Sequence, residues 1–235
     1  MKKSEVKEYV LKALLVLLKP KGYYLVKTGL DPHFILKGSD FVQKFFFNFK
    51  SNGWIAFSMM QISIREVEEV IREIGMPNFD PVTYEDEKKY FLTTVEDLLT
   101  STPKNLDSGI GYSVETPEDL EFITSWISSY LQNEGEEFVK TYSHLPNILA
   151  NMDKLQHNGL YWNNSGGILS GTLSAYFSGL IISRLCNDPN YEEKALIMDE
   201  VFGNPLYEEW LPFYNNLKKR LETLEPKYSY LPDKD

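Results

Sequence analysis

Cysteine is almost absent from this sequence. Among 235 residues there is one cysteine, Cys186, and a single thiol can form neither an intramolecular disulfide nor a cysteine-rich metal site. A secreted fold stapled by disulfides is therefore excluded. Cys186 ends an apolar stretch, so we expect a small buried side chain. A nucleophilic cysteine would need a neighbouring base and an electropositive setting.

Sequence motifs of catalysis are missing as well. The chain has no G-x-x-x-x-G-K-[ST] loop, no H-E-x-x-H, no C-x-x-C and no G-x-S-x-G. Its three histidines match no metal-binding spacing. These absences weigh against enzymatic chemistry without excluding it, and we predict no catalytic residue, no metal site and no cofactor.

No stretch has the composition of a membrane span. The longest run without Asp, Glu, Lys or Arg is 155–183, but serine and threonine recur through its apolar core, 168–182. A spanning helix needs about 20 predominantly apolar residues. We therefore predict a buried helix at 168–186, with a stripe of small residues, Gly171, Ala175 and Gly179, facing a neighbouring helix. Because the first residues lack the pattern of a signal peptide, we expect a cytoplasmic protein without a membrane partner.

Charge is distributed unevenly along the chain. The net charge is −10, yet residues 1–50 hold ten lysines against four acidic residues, whereas residues 51–150 hold six basic and eighteen acidic residues. Binding of nucleic acid requires clustered Lys and Arg, so we expect no nucleic-acid partner. An acidic surface favours a basic protein partner, although it also serves solubility alone.

Apolar periodicity predicts an α+β fold. Residues 3–18 repeat apolar side chains at helical spacing, which predicts a helix. Residues 22–63 consist of strand-like apolar segments separated by turn residues, which predicts an antiparallel sheet. The Asn52-Gly53 pair predicts a type I′ hairpin turn. Further strands are predicted near 90–94 and 110–114, with a short helix at 95–99 between them.

The second half of the chain has a helical pattern. A capping box at Ser63–Glu66 predicts an earlier helix start, and Thr116 followed by Pro117 predicts the start of the helical half. Because strands precede helices, the pattern favours α+β over βαβ winding. We predict one domain at 1–225, which is rich in sheet over 1–115 and helical over 116–225, followed by a loose tail at 226–235.

A polar-aromatic segment at 161–167 is the main candidate for binding. It combines aromatic rings with amide and hydroxyl groups, a composition that resembles ligand and partner contact surfaces. The alternative is that Asn164 or Ser165 only caps the next helix. The predicted binding residues are Tyr161, Trp162, Asn163 and Asn164 of this segment, the nearby His157 and His144, and the acidic loop residues Glu85, Asp86 and Glu87.

Two functional hypotheses follow. The first is a protein-binding module with an acidic face, because class and composition are similar to those of small acidic α+β bacterial proteins that neutralise a toxin, such as immunity-type inhibitors. The second is a small-molecule binder or hydrolase with a pocket near Trp162, Asn163, His157 and His144. An acidic face with exposed aromatic side chains would favour the first hypothesis, and a pocket that gathers the histidines would favour the second.

Overall fold

A computed structural model describes residues 2–27, 31–79, 92–97, 111–163 and 167–230. Within these ranges the strands are β1 Tyr24–Val26, β2 His33–Lys37, β3 Phe41–Phe49, β4 Trp54–Phe57, β5 Gln61–Ile64, β6 Val95–Glu96 and β7 Gly111–Ser113. The α-helices are α1 Lys3–Leu18, α2 Arg65–Ile74, α3 Pro117–Gln132, α4 Glu134–Tyr142, α5 Leu145–His157, α6 Leu173–Leu185, α7 Tyr191–Phe202 and α8 Leu211–Glu222. Two 3-10 segments are Lys19–Lys21 and Pro205–Trp210. An N-terminal helix, an antiparallel sheet and a helical second half confirm the predicted α+β class.

These elements pack as two compact units. Unit 1 comprises Met1–Ile62 and Asp97–Lys140, and unit 2 comprises Ser63–Glu96 and Thr141–Asp235. The predicted single domain at 1–225 stays a prediction. Within the predicted tail, the backbone N–H groups of Lys227 and Tyr228 donate to the carbonyl of Leu185 at 2.8 and 3.0 Å, and residues 231–235 lie outside the described ranges.

Unit 1 is built on an antiparallel sheet with the order β1-β2-β3-β4-β7. One face carries four buried phenylalanines in mutual ring contact, with centroids 5.2 to 6.4 Å apart: Phe34, Phe45, Phe47 and Phe57. Helix α3 adds Trp126 and Tyr130 against Phe57 and packs against α1. The alternation along β3 therefore places its rings in the core, as a half-buried strand requires.

The hairpin at Asn52-Gly53 is confirmed, but its turn type was predicted wrongly. Gly53 has φ +82°, whereas Asn52 is not in the left-handed region. The loop is one residue longer, because the N–H of Lys50 donates to the Trp54 carbonyl at 2.8 Å. Gly53 occupies the left-handed position that ends such three-residue hairpin loops.

We expect Gly53→Val to destabilise unit 1 by at least about 1–3 kcal/mol, because a β-branched residue is strained at positive φ. A Cβ at this position would also lie 2.4 Å from the carbonyl oxygen of Val114. Urea unfolding monitored by circular dichroism measures the difference. Gly159→Val is the control, since Gly159 has φ +69° with no heavy atom within 4 Å of its Cβ position. Equal losses in the two variants would contradict the proposed clash.

Two helix starts were predicted from local sequence, at Thr116 and at Ser63, and only the first is confirmed. The Thr116 hydroxyl accepts from the Asp119 N–H at 3.2 Å and the Asp119 carboxylate accepts from the Thr116 N–H at 2.9 Å, which confirms the predicted start. The backbone N–H groups of Thr116 and Glu115, which both donate to this carboxylate, hold the pKa of Asp119 below its usual value. The Ser63–Glu66 capping box was wrong: α2 begins after Ile64 without a side-chain cap, and the Ser63 hydroxyl donates to the Leu92 carbonyl instead.

Two predicted boundaries near residue 95 are corrected. Val95 and Glu96 form β6 and not the start of a short helix. The added strand thus lies just after the predicted 90–94 range, and the next one, β7, lies within 110–114. The N–H of Glu96 donates to the Ile168 carbonyl at 2.9 Å, a long-range contact that a local pattern does not contain.

Unit 2 is organised around α6, which contacts α2, α5, α7 and α8. This helix begins at Leu173, five residues later than predicted, because the preceding residues are held in irregular structure that includes a bridge between Leu169 and Val95. The stripe of small residues was predicted to face a neighbouring helix, but part of it contacts an aromatic side chain instead: the indole of Trp162 covers Gly179. No helix of the described residues has the length and apolar character needed to cross a membrane.

Candidate functional site

A cleft of about 600 Å³ in unit 2 contains two of the predicted binding residues, Tyr161 and Asn163. It lies where the start of α6 meets α7 and the 3-10 segment Pro205–Trp210. Its other lining residues are Thr172, Leu173, Tyr176, Ile197, Glu200, Val201, Asn204 and Tyr207. The cleft therefore combines three phenol rings with amide groups and one carboxylate.

Tyr161 and Tyr207 lie close enough to Tyr176 to influence it electrostatically. Burial raises the pKa of Tyr176, and the neighbouring Tyr161 and Tyr207 raise it further. The Tyr176 phenol is therefore a neutral hydrogen-bonding group at physiological pH. Tyr161 is 65% exposed, which leaves its ring available as a contact surface.

Trp162, by contrast, belongs to the core. Its side chain is 4% exposed, and its ring meets Tyr176 edge-on with centroids 5.9 Å apart. A Cβ at Gly179 would lie 2.5 Å from Trp162 Cε3, so the absence of a side chain at Gly179 makes room for the indole. The sequence pattern identified an aromatic pair but not that its members point to different environments.

Backbone contacts anchor the segment that carries Tyr161 and Asn163. The N–H of Leu169 donates to the Trp162 carbonyl at 3.2 Å, and the N–H of Gly167 donates to the Asn163 carbonyl at 2.6 Å. A Cβ at Gly167 would lie 2.1 Å from the carbonyl oxygen of Trp162, so this close approach requires glycine. The predicted site residue Asn164, like Ser165, lies outside the described residues.

The two histidines of the second hypothesis lie at opposite ends of α5. His144 precedes the helix, is exposed and meets the Tyr228 ring edge-on at 5.8 Å. His157 is the last helical residue and is also exposed. A helical rise of 1.5 Å per residue separates them by about 20 Å. The structure thus does not bring His144, His157 and the buried Trp162 into one pocket.

A buried ion-pair network in unit 2 was not recognised from the sequence. Lys194 is 1% exposed. Its Nζ lies 2.5 Å from Asp153 Oδ1 and 2.5 Å from Asp188 Oδ2. The Ser183 hydroxyl donates to Asp188, and the Tyr230 hydroxyl donates to Asp153 Oδ2 at 3.0 Å. The ammonium group therefore has two carboxylate partners, and each carboxylate accepts a further hydrogen bond from a hydroxyl group, as buried ions require.

A smaller cavity of about 350 Å³ lies beside this network. It is lined by Asp153, Gln156, His157, Asn190, Glu193 and Lys194. His157 is thus the predicted site residue that borders the network, but Lys194 is already engaged by two carboxylates. Among the described residues, no group of three or more histidine, cysteine or acidic side chains is arranged to hold a metal ion.

Cys186 is fully buried beside the same network. Burial, together with the nearby carboxylates of Asp188, Asp153 and Glu66, raises the pKa of its thiol to about 12. The thiol is therefore protonated at neutral pH and is not an activated nucleophile. This agrees with the predicted buried side chain.

Acidic side chains lie on the elements that form the cleft. The predicted acidic residues Glu85, Asp86 and Glu87 lie outside the described residues. Residues 191–210, however, carry six exposed carboxylates and a single basic residue, the buried Lys194. The carboxylates are Glu192, Glu193, Asp199, Glu200, Glu208 and Glu209. Sequence reasoning missed them because it compared the charges of residues 1–50 and 51–150 and did not consider local charge beyond residue 150.

Comparison with known proteins finds no matching family model, no similar curated protein and no similar solved structure.

Proposed function

We propose that this chain binds a basic segment of another protein in the tyrosine cleft of unit 2. The observation that supports the proposal is the cleft itself: Tyr161, Tyr176 and Tyr207 line it together with Glu200. Tyrosine is enriched among the residues that dominate protein–protein binding, since its ring has a large contact area and its hydroxyl forms hydrogen bonds.

Apolar side chains near the cleft extend the contact surface. Ile197, which lines the cleft, is 38% exposed, and Leu206, next to Tyr207 in the chain, is 82% exposed. Leu160, next to Tyr161, is 49% exposed. Exposed apolar side chains grouped with aromatic rings are typical of interaction surfaces.

Charge selects the kind of partner. The exposed carboxylates of residues 191–210 attract a basic segment and accelerate its encounter with the cleft. The same carboxylates repel phosphate groups, so we do not expect nucleic acid in this cleft. An inhibitor that neutralises a basic toxin would use a surface of this composition.

A small-molecule ligand is the second candidate, supported by the cleft volume. About 600 Å³ falls within the usual range for small-molecule sites. The hydrolase form of this hypothesis depended on His144 and His157 beside Trp162, which are not brought together. A neutral aromatic ligand held between tyrosines is the form of the hypothesis that remains.

Labelled peptides test the proposal. We expect ten-residue peptides that alternate lysine or arginine with leucine to bind, as measured by fluorescence anisotropy, and matched glutamate–leucine peptides not to bind. Tyr207→Ala should weaken binding by about 30-fold or more, the effect of a hot-spot residue. Tyr9→Ala is the matched control, because Tyr9 is a 44%-exposed tyrosine of unit 1.

Salt and charge variants complete the test. Glu200→Gln with Glu208→Gln should weaken binding of the basic peptide and reduce its dependence on salt. Equal affinity for the basic and acidic peptides, or equal losses in Tyr207→Ala and Tyr9→Ala, would overturn the proposal. Binding of small aromatic compounds but of neither peptide would support the second candidate instead.

A further inference from the structure

The sheet of unit 1 has a second face, opposite its phenylalanine core, whose side chains differ in charge from the rest of the chain. Strands β1, β2, β3, β4 and β7 contain no aspartate or glutamate, although the net charge of the chain is −10. Their charged residues are Lys37 and Lys44. Lys44 alternates with the core-facing Phe45 and therefore lies on the opposite face.

Strand register gives the arrangement of this second face. Tyr24 is paired with Ile35, which is paired with Lys44, and Val26 is paired with His33, which is paired with Phe46. Paired residues lie on the same face of a sheet. Tyr24 and Phe46 are thus two strand spacings apart across the sheet and two residues apart along it. With the usual strand spacing and rise per residue, this places them about 12 Å from each other.

Aromatic rings are exposed on the open part of this face. Tyr24 is 37% and Phe46 is 38% exposed, whereas the valine and isoleucine side chains on the same face are buried. Phe46 lies on the strand whose neighbouring phenylalanines on the core face are buried. A single exposed ring is ordinary on a protein surface, but here two exposed rings share one face with lysines, and Tyr24 lies in the same row of the sheet as Lys44.

Trp54 places a third lysine on this face. Its ring lies over Gly111, where a Cβ would come within 2.0 Å of the indole. Lys50 lies over the same ring, with its Nζ 4.2 Å from the ring centroid. This cation–π contact holds the ammonium group near the sheet surface and reduces the entropy that it loses on binding an anion.

We propose that this face binds a single-stranded polynucleotide, with bases stacked on Tyr24 and Phe46 and phosphates bound by Lys37, Lys44 and Lys50. Stacking on exposed rings combined with nearby lysines is the general chemistry of single-strand recognition, and sheet surfaces that bind RNA stack two or three bases in this way. The expectation of no nucleic-acid partner rested on long segments and total charge, whereas binding depends on the local charge of one face.

Affinity and its dependence on salt test the inference. A fluorescein-labelled oligomer of twelve thymidines and one of twelve uridines are titrated with the intact chain, and anisotropy is measured. We expect dissociation constants within about 1–100 µM at low salt, and a slope of log affinity against log salt of about −2 for three phosphate contacts. The two oligomers distinguish DNA from RNA, because only RNA offers a 2′-hydroxyl.

Matched variants locate the site. Phe46→Ala should weaken binding about 5-fold or more, whereas Phe122→Ala, which removes a 46%-exposed phenylalanine from α3, should not. Lys44→Gln with Lys50→Gln should reduce the slope by about 1.4, whereas Lys12→Gln with Lys19→Gln, which has the same change in charge on exposed residues, should leave it unchanged. Melting curves of each variant verify that it is folded.

Three results would overturn the inference. One is no binding of either oligomer, and another is an equal loss of affinity in the test and control variants. The third is displacement of the oligomers by polyglutamate at equal charge concentration, because this would identify the face as a site for an acidic protein. The test is independent of the tyrosine cleft, which lies in unit 2.

Discussion

Replacing Lys194 with alanine is expected to lower the free energy of unfolding of unit 2 by about 3–5 kcal/mol, because the change leaves two buried carboxylates without their counter-ion. Asp188 has a fully buried side chain and Asp153 is 23% exposed. The hydrogen bonds from Ser183 and Tyr230 remain in the variant, but they cannot offset the desolvation of two negative charges. Urea denaturation followed by tryptophan fluorescence measures the loss.

Lys218→Ala is the matched control for Lys194→Ala. Lys218 contacts Asp199 at 2.9 Å, with side chains 47% and 46% exposed, and an exposed pair of this kind contributes about 0–1 kcal/mol. Lys194→Met, which preserves volume while removing charge, should be nearly as destabilising as Lys194→Ala. If Lys194→Met were as stable as the parent, packing rather than charge would explain the buried position, and the ion-pair account would be wrong.

Trp162→Ala is expected to destabilise unit 2 by about 3–5 kcal/mol, the range observed for removal of a large buried aromatic side chain. The indole fills the space over Gly179 and contacts Tyr176, so its removal leaves a cavity next to the central helix α6. Thermal and urea unfolding measure the loss. Trp162→Phe should lose less, since a smaller ring still fills part of the same space.

Tyr161→Ala separates the structural role of this segment from its proposed binding role. Because Tyr161 is 65% exposed, its truncation should change stability by no more than about 0.5 kcal/mol. The same variant should bind the basic peptides about 10-fold more weakly than the parent. If Tyr161→Ala destabilised as much as Trp162→Ala, or if it bound peptides as the parent does, Tyr161 would not be a binding residue.

These predictions assign different roles to residues that the sequence alone did not distinguish. Tyr161 and Trp162 are adjacent aromatic residues in the same polar-aromatic segment, yet the ring of Tyr161 is exposed and the ring of Trp162 is buried. Asn187-Asp188-Pro189 has the composition of an exposed turn. Asn187 does adopt the left-handed turn conformation with φ +50°, but Asp188 is buried against Lys194. Turn composition reports backbone geometry and not the exposure of each side chain.

The sequence by itself determined what depends on neighbouring residues. Apolar spacing determined α1 and the alternation of β3, Asn52-Gly53 determined the position of the hairpin, and Thr116 determined the start of α3. These features arise from backbone geometry and hydrogen bonds within a few residues, so a short segment contains the information. The same signals did not determine the helix start near Ser63, because its hydroxyl binds a carbonyl 29 residues away.

Only the tertiary structure decided which distant groups meet and which rings remain exposed. The Lys194 network joins residues from α5, α6, the following turn, α7 and the C-terminal segment, and the tyrosine cleft joins residues 161, 176 and 207. Contacts of this kind depend on how helices and loops pack, since a side chain is buried or exposed according to the elements that cover it and not according to its own type. Glycine at 179 illustrates the difference: its spacing indicated close packing, and the fold determined that the neighbour is Trp162.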